Sequence, residues 1–260
     1  MRFHWNRERE GNNNDEDVLE GLQPHPSLKS LKIENFEGEK FPSWILARNN
    51  NGSGGFLLEQ LSKIHLENCD KCNKIPTLGH LPRLKVLQIE KMDNLTCIGT
   101  EFYMNYGGER SSNSGGGSGR NVVFPALKTL HLKYLPNLVE WKDAMELKTI
   151  ETVFPCLEEL IITSCGQLTS APYHFPFLKK LDISNIKSTA FKSIVSKLTT
   201  LTSLQILDIS ELVCLPKQLL QNNRSLMSIY IYIIVLIWFP SRCLKMQPLS
   251  NYSEQVDVRN

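Results

Sequence analysis

The sequence predicts an α/β solenoid: a curved parallel β-sheet that adds one short strand per repeat, with irregular or briefly helical returns. Three observations carry that expectation. An apolar pattern, LxxLxL, recurs along the chain; proline stands at a fixed offset before it; and glycine-rich polar insertions fall between its copies.

The stretch FPALKTLHLKYLPNLVEW, residues 124–141, shows the problem in miniature. Leu127, Leu130, Leu132, Leu135 and Leu138 are spaced three, two, three and three apart. A helical stripe runs three and four, and a half-buried strand runs two and two. Repetition resolves the mixed spacing. LxxLxL, with Ile sometimes replacing Leu, occurs as LKSLKI (28–33), LSKIHL (61–66), LKVLQI (84–89), LKTLHL (127–132), LEELII (157–162), LKKLDI (178–183), LQILDI (204–209) and LMSIYI (226–231). The first leucines are 33, 23, 43, 30, 21, 26 and 22 residues apart. Most intervals lie near the 20–29 residues of a leucine-rich repeat.

Each element of the repeat has a physical reason. The last two apolar positions are two apart, so they point the same way from one strand. The first enters the core from the turn before it. A further apolar residue follows eight positions after the first: Phe36, Cys69, Met92, Leu135, Cys165, Ile186, Leu212 and Ile234. None of these is Asn, so that slot is filled by packing. Pro26, Pro82, Pro125, Pro155 and Pro176 each lie two residues before a first leucine. Proline lacks an N–H and fixes φ, which suits the approach to a strand but not its middle.

The expected organisation is a partial N-terminal repeat and polar lead-in over 1–27, a solenoid over 28–234, and an aberrant or disordered tail over 235–260. Phe3 and Trp5 alternate like the remains of an earlier strand. Residues 105–121, NYGGERSSNSGGGSGRN, and 49–55, NNNGSGG, read as flexible insertions. The 14-residue apolar run from Leu226 to Phe239 is shorter than the ~20 residues of a membrane span, so membrane association is not expected. Solenoids need polar end caps, and neither end supplies one, so a truncated chain is expected.

Composition excludes several functions. The formal charge of +2 offers no field for nucleic acid or anionic membrane. The seven cysteines are odd in number and scattered, as in a reducing compartment, and a cytoplasmic location is expected. The N-terminus lacks the apolar core of a secretory signal, so triplets starting at Asn51, Asn94, Asn223 and Asn251 read as chance matches to a glycosylation site. Cys69 and Cys72 form CDKC, half a zinc site without its second pair, so the reading is structural and no metal is expected. GGGSGR lacks the Lys-Ser/Thr of a phosphate loop. None of the six histidines joins a nucleophile–base–orienter set, so no catalysis, cofactor or small-molecule substrate is expected.

The variable strand positions remain. They are Lys32 and Glu34, His65 and Glu67, Gln88 and Glu90, His131 and Lys133, Ile161 and Thr163, Asp182 and Ser184, then Asp208 and Ser210, with Tyr230 and Tyr232 continuing the strip. Before the tyrosines the strip holds five acidic and two basic residues, which suits a protein rather than a phosphate backbone. The simpler alternative is the solvated face of a solenoid.

DVLEGLQPHPSLKSLKIENFEGEKFPSWI (17–45) resembles the leucine-rich region of plant nucleotide-binding, leucine-rich-repeat disease-resistance proteins of the coiled-coil type. LGHLPRLKVLQIEKMDNLTCIGTEFY (78–103) and VFPCLEELIITSCGQLTSAP (153–172) resemble later repeats of that region. The resemblance spans about residues 15–234. It implies recognition in innate immunity, with a pathogen effector or a receptor nucleotide-binding module as partner. The family's coiled coil and Walker A loop have no counterpart in this sequence, so its nucleotide switching does not carry over. An adaptor outside immunity and a non-functional truncated gene product share the same array.

Overall fold

The structure is a computed structural model, and it describes residues 1–6, 14–46, 57–103, 122–146, 150–232 and 255–257. Insertions 105–121 and 49–55, Ile234, Cys243 and most of the 235–260 tail lie outside the described residues.

In chain order the strands are β1 (Arg2–His4), β2 (Ser30–Glu34), β3 (Lys63–Glu67), β4 (Val86–Glu90), β5 (Cys97–Ile98), β6 (Val122–Val123) and β7 (Thr129–Lys133). They continue as β8 (Glu140–Trp141), β9 (Thr152–Val153), β10 (Glu159–Thr163), β11 (Lys180–Lys187), β12 (Ser203–Ser210), β13 (Ser228–Tyr232) and β14 (Gln255–Asp257). The helices are α1 (Asp15–Gly21), α2 (Ser188–Val195) and α3 (Lys217–Asn222), with single 3-10 turns at Ser43–Ile45, Thr100–Phe102 and Ala144–Glu146. One open sheet runs β1-β2-β3-β4-β7-β10-β11-β12-β13-β14, and every neighbouring pair in it is parallel. Two-residue ladders, β5 with β8 and β6 with β9, tie successive returns together. This is the leucine-rich-repeat solenoid that the spacing predicts.

The strands form where they do because each leucine pair faces inward. In 124–141 all five leucines are fully buried. Full burial of a leucine side chain is worth about 1.5–3 kcal/mol, and the same positions repeat in every turn, so the core is continuous from Leu19 to Leu226. Phe3 and Trp5 pack partly buried against it, and β1 pairs with β2 as the preceding strand that their alternation suggests.

The prolines do more than precede a strand. In all five copies the first leucine's N–H bonds the carbonyl three residues back, as in Leu127 to Phe124 at 3.3 Å and Leu28 to His25 at 2.9 Å. Proline therefore stands at the second position of a hydrogen-bonded turn, where its fixed φ is pre-set. In four of the five the residue before it fills the core, His25 being exposed. Phe124, Phe154 and Phe175 stack across successive turns, with ring centroids 5.2 and 5.9 Å apart.

A left-handed residue follows β2, β3, β4, β7 and β10 and interrupts β11 and β12, and none of these is glycine: Asn35, Asn68, Lys91, Tyr134, Ser164, Asn185 and Asp208 have φ between 49° and 56°. Asn and Asp tolerate that region best. The asparagines also bridge repeats, since Asn68 Nδ2 donates to Asn35 Oδ1 at 2.9 Å and Asn35 Nδ2 donates to the Trp5 carbonyl at 2.9 Å. The next residue, from Phe36 to Ile186 through six repeats, is fully buried, as the spacing requires.

One repeat is read three residues out of place. Leu181 and Ile183 pair with Leu204 and Ile206, so the seventh copy is LTSLQI (201–206), not LQILDI (204–209). LTSLQILDI satisfies the apolar pattern in both frames. Burial decides between them. Leu201, Leu204 and Ile206 are inside, whereas Leu207 is 37% exposed. The slot assigned to Leu212 belongs to Ile209, which pairs with Ile186 and is 9% exposed.

Candidate binding face

Parallel pairing places the variable residues in two rows across the sheet. The inner row is Arg2, Lys32, His65, Gln88, His131, Ile161, Asp182, Gln205 and Tyr230. The outer row is His4, Glu34, Glu67, Glu90, Lys133, Thr163, Ser184, Leu207 and Tyr232. Strand spacing of ~4.8 Å makes each row about 38 Å long over eight steps. Twelve of the fourteen expected residues lie in these rows. Asp208 and Ser210 do not. Asp208 is the left-handed turn residue of its repeat, and Ser210 pairs with Lys187 beyond the rows. Gln205 and Leu207 take their places. Arg2 and His4 extend the rows at the other end, which the alternation of Phe3 and Trp5 already hinted.

The two halves of the face differ in electrostatics. In the first half Arg2, Lys32, Glu34 and Glu67 satisfy one another's charges. Glu34, with its side chain only 8% exposed, pairs with Arg2 and with Lys32 Nζ at 2.7 Å. Burial alone would raise the Glu34 carboxyl, but the two cations overcome it and hold the pKa at about 2. Lys32 reaches Glu67 at 3.1 Å, and Lys91 reaches Glu67 at 3.0 Å. The Glu67 carboxyl is likewise lowered, its burial outweighed by these lysines. His65 Nε2 lies 3.6 Å from Glu67 and 3.9 Å from Glu90. His131 Nδ1 lies 3.0 Å from Gln88 Nε2. Burial pushes both histidines below their ordinary value, helped by Lys32 at His65 and by Lys133 at His131.

From Ile161 onward the rows are uncharged except at Asp182. Burial raises the Asp182 carboxyl, with Lys133 opposing. Ile161 is half-buried, while Leu207 and Tyr232 are 37% and 38% exposed.

Among the described residues no group of three or more His, Cys, Asp or Glu could hold a metal ion. The CDKC cysteines are core residues. Cys69 occupies the packed slot, and the Cys72 thiol donates to the Gly38 carbonyl at 3.2 Å. Burial drives the Cys69 thiol up to about 12 and the Cys72 thiol higher still, so neither is a thiolate at neutral pH.

Residues 1–92 match the family of R13L1/DRL21 leucine-rich repeats. The repeats are similar to those of plant disease-resistance proteins. RPP13-like protein 1 of Arabidopsis thaliana is 33% identical over 171 residues, covering 65% of this chain and 15% of that protein. RGA4 of Solanum bulbocastanum is 34% identical over 192 residues, covering 73% of this chain and 17% of that protein. A second Arabidopsis thaliana protein is 34% identical over 170 residues, covering 65% of this chain and 10% of its own length. All three carry disease resistance in their names. The chain thus spans less than a fifth of each of these relatives. No solved structure matches it significantly. Among the described residues no helix is long and apolar enough to cross a membrane.

Proposed function

We propose that residues 28–234 act as one protein-recognition module of plant immunity, without chemistry of their own, and that a partner docks on the sheet face from Ile161 to Tyr232. The change of electrostatics along the face carries this reading. Covering the first half would desolvate carboxylates and lysines already paired with one another, which costs more than it returns. The second half offers Ile161, Leu207 and the two tyrosines on a rigid sheet. Tyrosine is among the residues that most often carry binding energy in protein interfaces, and Ile161 and Leu207 add apolar area to be buried. The partner presents an apolar ridge with a basic group for Asp182. The relatives are named for disease resistance, and with that setting the partner we propose is a resistance-receptor nucleotide-binding module or a pathogen effector.

Cytoplasmic folding fits the same reading. The sequence triplet Asn223-Arg224-Ser225 would be offered to glycosylation in a secretory lumen. Yet the Asn223 side chain is 1% exposed and hydrogen-bonded on both sides, so a glycan there and this fold exclude one another.

The test is biolayer interferometry of the full chain against a panel of nucleotide-binding modules from plant resistance receptors and of pathogen effectors. Ile161→Lys and Leu207→Glu are expected to weaken any binding at least tenfold, and Asp182→Asn severalfold. Lys32→Ala is expected to leave it nearly unchanged. Equal losses from Lys32→Ala and Ile161→Lys would refute the assignment to the second half of the face. No binding across modules and effectors would favour an adaptor outside immunity.

A further inference from the structure

A different line of charge runs along the sheet edge where the strands begin. The backbone N–H of Ser62 bonds the Lys29 carbonyl, Lys85 bonds Ser62, and Lys128 bonds Lys85, at 2.9, 2.8 and 2.8 Å. This ladder stacks Lys29, Ser62, Lys85 and Lys128 in four successive repeats, over about 14 Å, and Lys63 adjoins it one position further along, in register with Ser30 and Val86. Lys29, Lys63, Lys85 and Lys128 are exposed, and none makes an ion pair among the described residues. The line ends where Glu158 follows Lys128 in the ladder, and Glu158 pairs with Lys179 at 3.3 Å. The glutamates at the other end of the same strands are largely neutralised by Arg2, Lys32 and Lys91. The four lysines therefore gather exposed charge of one sign along this edge.

We infer that this lysine edge is a second docking surface, taking an acidic protein segment that lies along the solenoid. The steps of ~4.8 Å match one face of a helix, whose turns advance ~5.4 Å, better than alternate residues of a strand at ~6.6 Å. An acidic helix is the fitting occupant. Nucleic acid is disfavoured by geometry. A duplex carries a charge every ~1.7 Å of its axis. This edge offers at most one lysine per step of ~4.8 Å.

The probe is a fluorescent synthetic helical peptide with glutamate along one face, titrated with the full chain by anisotropy. A 20-bp duplex DNA and phosphatidylserine vesicles serve as competing ligands. The unmodified chain is expected to bind the peptide, and to lose at least tenfold in affinity when salt rises from 50 to 300 mM. The quadruple variant Lys29→Glu, Lys63→Glu, Lys85→Glu, Lys128→Glu is expected to bind at least tenfold more weakly. Should that variant not fold, the same four positions changed to Gln are expected to lose at least threefold. Ile161→Lys is expected to leave peptide binding unchanged, which separates this surface from the sheet-face docking proposed above. Absence of peptide binding, unchanged binding by the lysine variants, or tighter binding of the duplex or the vesicles would each overturn the inference.

Discussion

Asn223 occupies the position that Phe124, Phe154 and Phe175 fill in earlier repeats, three residues before the first leucine. It is 1% exposed. Its Oδ1 accepts from the Leu201 N–H at 2.9 Å, and its Nδ2 donates to the Leu198 and Leu219 carbonyls at 2.8 and 2.7 Å. Asn223→Ala strips one amide and two carbonyls of these partners. A buried polar group left unsatisfied costs about 1–3 kcal/mol, so the expected loss is about 3–5 kcal/mol. With an m-value of about 3 kcal/mol/M in urea, the unfolding midpoint should fall by at least about 1 M. The assay is equilibrium urea unfolding followed by tryptophan fluorescence. Asn223→Leu is the informative partner, because it fills the space but makes no hydrogen bond. It is expected to cost nearly as much as Asn223→Ala. Full recovery of stability in Asn223→Leu, or a midpoint shift below about 0.3 M in Asn223→Ala, would refute the hydrogen-bonding account.

Stability should also depend on pH in two stages. His65 and His131 are held below their ordinary value chiefly by burial, and burial pushes His80 down to about 4. Below about pH 6.5 the unfolded chain binds these protons in preference, so stability falls as pH drops toward the folded values. Glu34, at about 2 folded against 4.5 ordinarily, adds stability that is lost as pH falls from about 4.5 to about 2. A thermal midpoint that stays flat from pH 7 to pH 5 would contradict the histidine part, and His80→Gln should flatten that slope. In iodoacetamide labelling at pH 8, Cys156 and Cys214 should react in the folded state, while Cys69, Cys72 and Cys165 react only in denaturant. Early modification of Cys69 would show that its burial is overstated. Tyr134 has φ 53° and is 52% exposed, and a left-handed L-residue costs about 1–2 kcal/mol. Tyr134→Asn should therefore stabilise by about 0.5–1 kcal/mol, read as a higher urea midpoint, and a lower midpoint would count against it.

The sequence made the strands legible because their leucines repeat with one spacing, and a buried leucine cannot move by one residue without facing water. The same logic failed at LTSLQILDI, where Leu and Ile satisfy two frames. Only pairing with Leu181 and Ile183 separates them. That single slip moved the expected site from Gln205 and Leu207 to Asp208 and Ser210. The interval from Leu178 to Leu201 is 23 residues and from Leu201 to Leu226 is 25, a more even division than 26 and 22. That evenness was the available signal. The residue before each proline was equally readable, since FP occurs at 124, 154 and 175, but its stacking appears only once the turns are superposed. The ion pairs of Glu34 and Glu67 were beyond reach. They depend on strand register, which brings Lys32 beside Glu67 although 35 residues separate them.

The longest interval between repeats leaves no trace in the sheet. Leu84 and Leu127 are 43 residues apart, yet β4 pairs with β7 in the same frame as strands only 21 to 23 residues apart. Length added to a return does not shift the register of the rows. Such a gene can gain or lose codons between strands while its recognition surface keeps a constant pitch, and can change one recognising side chain without disturbing the return behind it. The two sides of the molecule are open to independent selection.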